Sequence, residues 1–126
     1  VDDDSVNNLI CRKVIKNVFP EAVVLTFTNP ETALTYIKSI YFDSCGKATI
    51  LLLDINMPIL SGWDFLEEFE GFDANIKEQL KIYMFSSSTD QLDKDLANEN
   101  RNVSGYIEKP LTKEIIEELL FQILNA

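Results

Sequence analysis

Short apolar runs alternate along this chain with longer amphipathic stretches. TILLLD (49–54) is an unbroken apolar run that ends on a carboxylate, Asp54. A run with no polar alternation is the pattern of a strand buried on both faces. AVVLTFT (22–28), rich in β-branched and aromatic residues, and KIYMFS (81–86) are further strands, and SGYIE (104–108) is a short one. Between them the spacing is helical. Val6, Ile10, Val14 and Val18 recur every fourth residue and predict a helix over 5–19. Asn29 followed by Pro30 is a helix start, and Ala33, Leu34, Ile37, Ile40 and Tyr41 form the inward face of that helix. A helix from Gly62 to about Phe69 turns Phe65, Leu66 and Phe69 inward. Asp90 opens a weakly amphipathic helix held by Leu92 and Leu96. Thr112 caps a last helix in which Ile115/Ile116, Leu119/Leu120 and Ile123/Leu124 repeat. FDSCGKA (42–48) and INMPILSG (55–62) are loops.

Strict alternation of strand and helix means parallel strands joined by right-handed crossovers. The expected fold is a doubly wound α/β sandwich of three layers, one domain spanning 1–126. One strand is almost absent: only Val1 stands before the acids of DDD, whereas a strand takes ~5 residues. The expectation is a first strand largely truncated here, with the natural chain starting a few residues upstream.

Composition narrows the function. A net charge of −10 argues against direct nucleic-acid binding, which needs a basic surface. The chain contains no histidine, which removes triads, imidazole metal ligands and a phosphohistidine of its own. Cys11 and Cys45 make neither a disulfide framework nor a zinc site, and read as reduced thiols of a cytoplasmic protein. No apolar run approaches the ~20 residues that span a bilayer, so no membrane association is expected.

In an open parallel sheet, ligands bind beyond the carboxyl ends of the strands. That rim collects Asp2, Asp3 and Asp4, then Asp54, then Ser86 to Ser88, then Lys109 and Pro110. Several carboxylates share a small space only when a cation joins them. A hard divalent ion such as Mg²⁺ suits an all-oxygen set, and Ser and Lys donors suit phosphoryl oxygens.

VDDD, LLLDINMPILSGWDFL, MFSSS and GYIEKP, in this order and spacing, resemble the receiver domain of two-component response regulators, of the chemotaxis-regulator kind. The resemblance covers nearly the whole chain. It implies a flavodoxin-like, five-stranded parallel sheet of order 2-1-3-4-5. It implies phosphoryl transfer from a sensor histidine kinase or histidine phosphotransfer protein onto Asp54, with Mg²⁺, followed by a conformational switch read by a downstream protein target. Asp3 is then a direct metal ligand and Asp2 acts mostly through water. Asp54 and the backbone carbonyl of Asn56 complete the protein's share of the metal shell. Ser86 bonds the phosphoryl group, and Lys109 pairs with Asp54 before transfer and with phosphoryl oxygens after it. Tyr106 is the aromatic switch, the Lys109–Pro110 bond is cis, and Ser88 and Asn56 tune dephosphorylation. The chain would be no enzyme beyond catalysing its own phosphorylation and dephosphorylation.

Other readings compete. Read alone, Asp2 to Asp4 would be a helix cap, Asp54 a turn acid, and Tyr106 a packed ring. A haloacid-type phosphatase wants a second acid two residues after the nucleophile, and Asn56 stands there. A pseudo-receiver serving only as an interaction module would lack part of the set, whereas Asp3, Asp54, Ser86 and Lys109 are all present. A receiver excised from a hybrid kinase would carry the same residues.

Overall fold

The computed structural model describes residues 1–40 and 49–124. Its elements run α1 (Ser5–Val18), α2 (Pro30–Ile40), β1 (Thr49–Leu53), α3 (Gly62–Glu70), α4 (Ala74–Gln79), β2 (Leu80–Ser86), α5 (Gln91–Glu99), β3 (Val103–Glu108) and α6 (Lys113–Leu124). The three strands form one parallel sheet in the order β1-β2-β3. β2 is central, and its pleat divides the core. Ile82 and Met84 face one layer, with Ala33 and Ile37 of α2, Phe65, Leu66 and Phe69 of α3, and Ala97 of α5. Tyr83 and Phe85 face the other, with Ile116 and Leu119 of α6 and Cys11, Val14, Ile15 and Val18 of α1. The result is an α/β/α sandwich, as the alternation requires.

The helix starts follow their caps. Asp4 accepts from the Val6 and Asn7 N–H groups, Asn29 from Glu31, Ser61 from Asp64, Asp90 from Leu92 and Thr112 from Ile115. Short α4 is invisible to periodicity, since Ile76 is its buried residue. The loop 42–48, Tyr41 and Cys45 lie outside the described residues, as do the side chains of Ile40, Ile123 and Leu124.

Four expectations change. Residues 22–28 carry no strand, and Val23 and Leu25 are exposed. Asp2 N donates to Phe27 O at 3.0 Å on one side of the N-terminal segment. On the other side Val1 N donates to Leu52 O at 2.7 Å and Asp54 N to Val1 O at 3.0 Å. Beyond these bonds a groove of about 760 Å³ separates residues 21–27 from β1, so no ladder forms across it. For the same reason β1 is buried on both faces only at its end, Leu53.

Two helices are rotated from the expected face. In α1, Val14 and Val18 pack inward but Val6 and Ile10 are exposed. Buried Asn8 sets that rotation, because its amide donates to Asp2 O at 2.9 Å and Phe27 O at 3.4 Å. In α5, Leu92 and Leu96 are exposed and Ala97 is the buried contact. Asp93 is tied to Ser88, and Lys94 to Glu108 at 2.6 Å, so half-buried polar residues of the helix bond the end of β3 and the segment after β2.

Candidate functional site

β1 ends on Leu53, fully buried, and hands the chain to Asp54 at the carboxyl edge of the sheet. Asp54 is itself buried, 6% exposed. The turn that follows is held by Gly62 N, which donates to Ile55 O at 2.8 Å. Gly62 admits no side chain: a Cβ there would stand 2.5 Å from the Asp54 carbonyl oxygen and 3.0 Å from Met84 Cε. This glycine lets the start of α3 close against the backbone that carries Asp54. In the sequence Gly62 reads as the end of a loop and the start of a helix, with no sign of this close contact.

Asp2, 3% exposed, and Asp3, exposed, meet Asp54 at this edge. One carboxylate oxygen from each lies within 4.8 Å of the others. Lys109, from the end of β3, puts Nζ 2.7 Å from Asp2 Oδ2 and 3.7 Å from Asp54 Oδ1. It therefore pairs foremost with Asp2, with Asp54 as the longer contact. Its Nζ also stands 5.6 Å from the centroid of the Phe85 ring. The Lys109–Pro110 bond is cis, and Lys109 N donates to Ser86 O at 2.9 Å, joining the ends of β2 and β3.

The charges do not cancel, since three carboxylates face one ammonium. Burial foremost, then the charge of Asp2, push the Asp54 carboxyl above the usual carboxylate range, against Lys109 and the Asn56 N–H. Burial acts upward on Asp2 as well. There it is outweighed by Lys109, by Asp4 N at 2.9 Å and by the Asn7 amide at 2.6 Å, and Asp2 is held below its ordinary value. Burial acts downward on Lys109, but Asp2 and Asp54 outweigh it and hold the ammonium above its ordinary value. Asp54 is the strained anion of the set. An all-oxygen group of acids with an exposed member suits a hard divalent cation that keeps part of its water, so the residues present fit Mg²⁺. Asp2 already accepts from three donors, two of them on Oδ2, and has less capacity left for direct ligation. Asp3 and Asp54 are the freer oxygens.

Ser86, 1% exposed, closes β2, and its Oγ accepts from Ser88 N at 3.1 Å. Tyr106 of β3 donates its hydroxyl to Ser88 O at 2.8 Å. The Ser88 hydroxyl donates to Asp93 Oδ2 at 2.9 Å. The structure thus brings Asp2, Asp3, Asp54 and Lys109 into one cluster and links Ser86 to Tyr106 through Ser88. Asn56 is exposed in the loop after Asp54, to which its backbone N–H is bonded. Beyond Gly62, sequence reasoning missed Asn7 and Asn8, the supports of Asp2. Their signal was present, since two amides interrupt the apolar side of α1.

No helix among the described residues is long and apolar enough to cross a membrane. The family model of the response regulator receiver domain matches residues 1–121. Chemotaxis protein CheY of Pseudomonas aeruginosa is 28% identical over 114 residues, covering 90% of this chain and 87% of that protein. A two-component response regulator from Cytophaga hutchinsonii superposes with a TM-score of 0.89 at 26% identity, covering 99% of this chain and 93% of that one. The receiver domain of a sensor histidine kinase from Pseudomonas aeruginosa, solved with a magnesium ion coordinated in its active site cleft, shares the fold. Its TM-score is 0.76 at 16% identity, covering 100% of this chain and 94% of that one. A buried, crowded Asp54 beside Lys109, on a parallel α/β sheet matched over almost its whole length, places the chain in the family of response regulator receiver domains.

Proposed function

We propose that the chain accepts a phosphoryl group on Asp54 from a phosphohistidine of a sensor kinase or histidine phosphotransfer protein, in the cytoplasm, and passes the change to a downstream protein. The observation that carries this is Asp54 itself, a carboxylate buried beside two other acids and partly balanced by Lys109. Such a group is costly to the fold unless chemistry uses it. We read the sheet as five-stranded, order 2-1-3-4-5, with Val1 and Asp2 in the place of the first strand. Their bonds to Phe27 on one side and to Leu52 and Asp54 on the other support that reading.

In the transfer, an Asp54 carboxylate oxygen forms the new O–P bond as the P–N bond to the donor imidazole breaks. The imidazole leaves with the bonding pair and is protonated. Asp3, Asp54 and the Asn56 carbonyl would hold Mg²⁺, with Asp2 acting through water. The ion supplies charge neutralisation to the phosphoryl oxygens when bound. Lys109, held between Asp2 and Asp54, supplies a fixed ammonium to those oxygens. Ser86 offers its hydroxyl from the end of β2. Its oxygen already accepts from Ser88 N, which leaves its proton for the phosphoryl group. Asp54 changes from a carboxylate of one negative charge to an acyl phosphate of roughly one and a half to two, a net gain of at most about one charge that now sits on three phosphoryl oxygens. Tyr106 and α5 then shift between two arrangements, and α5, β3 and α6 form the output face.

Incubation of the full chain with Mg²⁺ and a small acyl-phosphate donor, followed by intact mass, tests this reading. One added phosphoryl mass on the wild type and none on Asp54→Ala is the expected result. An unlabelled wild type, or an Asp54→Ala variant labelled as well as wild type, would overturn it.

A further inference from the structure

Every polar group of Ser88 is engaged. Its N–H donates to Ser86 Oγ at 3.1 Å, and its carbonyl accepts from the Tyr106 hydroxyl at 2.8 Å. Its own hydroxyl accepts from Asp90 N at 3.2 Å and donates to Asp93 Oδ2 at 2.9 Å. Ser88 is therefore the junction between the end of β2, the middle of β3 and the first turn of α5. Its neighbours do not anchor it by packing. Ser87, Thr89 and Asp90 are exposed, as are Leu92 and Leu96 of α5. The first buried apolar contact of that helix is Ala97, more than a turn away. Polar bonds fix this segment, and the acceptor of the Ser88 hydroxyl proton is the Asp93 carboxylate.

We propose that Asp93 is a positioning residue for the phosphoryl-transfer site: by holding the Ser88 hydroxyl it fixes the segment that orients Ser86 and receives Tyr106. The inference rests on Asp54 being the phosphoacceptor. The Ser88 N–H occupies one lone pair of the Ser86 hydroxyl, so its proton is kept for another acceptor. When Asp93 is removed, the Ser88 hydroxyl loses its acceptor, the segment loosens, and both the Ser86 and the Tyr106 bonds weaken together. A rival account exists, because an acid in the first turn also favours the helix dipole. Asparagine separates the two accounts: it keeps an oxygen acceptor for Ser88 and drops the charge.

The test is the initial rate of labelling of the full chain with Mg²⁺ and an acyl-phosphate donor, together with the NMR signals of the Tyr106 ring. Asp93→Ala should slow labelling roughly fivefold, the worth of one ordinary hydrogen bond, and shift the Tyr106 signals. Asp93→Asn should stay within about twofold of wild type with Tyr106 unmoved, since the acceptor is retained. In a Ser88→Ala background, Asp93→Ala should have no further effect, as coupling through one junction requires. A labelling rate unchanged by Asp93→Ala, an asparagine variant as slow as the alanine one, or additive effects with Ser88→Ala would each overturn the proposal while the wild type still labels. An unlabelled wild type would overturn the phosphoacceptor reading, and this inference with it.

Discussion

At the scale of the residue, Asp54 carries a cost that the rest of the fold absorbs. Its carboxyl sits above its ordinary value of 3.8 because burial and then Asp2 disfavour the charge. The folded state therefore holds its proton more tightly than the unfolded chain does. Stability from this group is greatest below the ordinary value and is lost as pH rises through the raised folded value. In the presence of a chelator at neutral pH, Asp54→Asn should accordingly raise stability by about 1 kcal/mol, the usual trade between a functional charge and the fold. Urea denaturation measures it, and a destabilised Asn variant would count against the crowding of the acids. Gly62 carries the opposite cost. Gly62→Ala would press a methyl onto the Asp54 carbonyl oxygen and Met84, and should lose about 1–3 kcal/mol by the same measurement. Asp54 was legible in the sequence because a lone carboxylate closed an apolar run. Gly62 was not, because its constraint is a contact made only when α3 folds back onto β1.

At the scale of the element, polar tethers decide which face of a helix turns inward. The four-residue spacing of Val6, Ile10, Val14 and Val18 located α1 but misplaced its face. Buried Asn8 bonds the carbonyls of Asp2 and Phe27 and overrides part of the apolar stripe. α5 shows the same through Asp93 and Lys94. Periodicity counts apolar side chains and is blind to such bonds. Where the tether is apolar, as with Phe65, Leu66 and Phe69 of α3, the face agrees with the expectation. A third tether joins α3 to the turn before β3: Glu70 bonds Arg101, Asn102 and Lys77. The Arg101 and Asn102 donors foremost hold its carboxyl down at about 2, from an ordinary 4.5. A depressed carboxyl contributes stability that is present above its unfolded value and is lost as pH falls through the folded one. Acid should therefore weaken this link between about 4.5 and 2, modestly, because the group faces solvent. Urea midpoints at pH 5 and pH 3 test it. The drop between them should be smaller in Glu70→Gln than in wild type, and an equal drop would remove Glu70 from the acid response.

At the scale of the molecule, alternation of strand and helix predicted an α/β/α sandwich with parallel strands, and β1-β2-β3 with helices on both faces is that arrangement. Residues 22–28 have the composition of a strand without its ladder. Strand propensity describes fit to a neighbouring strand, and only Val1 and Asp2 stand between this segment and β1. The site was legible as a list of residue types at strand ends. That Lys109 pairs foremost with Asp2, and that Ser88 joins Ser86 to Tyr106, are distances, and no spacing in the sequence encodes them. The central claim concerns a single carboxylate, and reductive trapping tests it most directly. Borohydride converts an aspartyl phosphate to homoserine, so the labelled residue can be read by peptide mass. After incubation with Mg²⁺ and an acyl-phosphate donor, the account predicts homoserine at position 54 alone. Homoserine at position 2, 3 or 4, or a stable phosphate on Ser86, Ser87 or Ser88 with Asp54 intact, would contradict it.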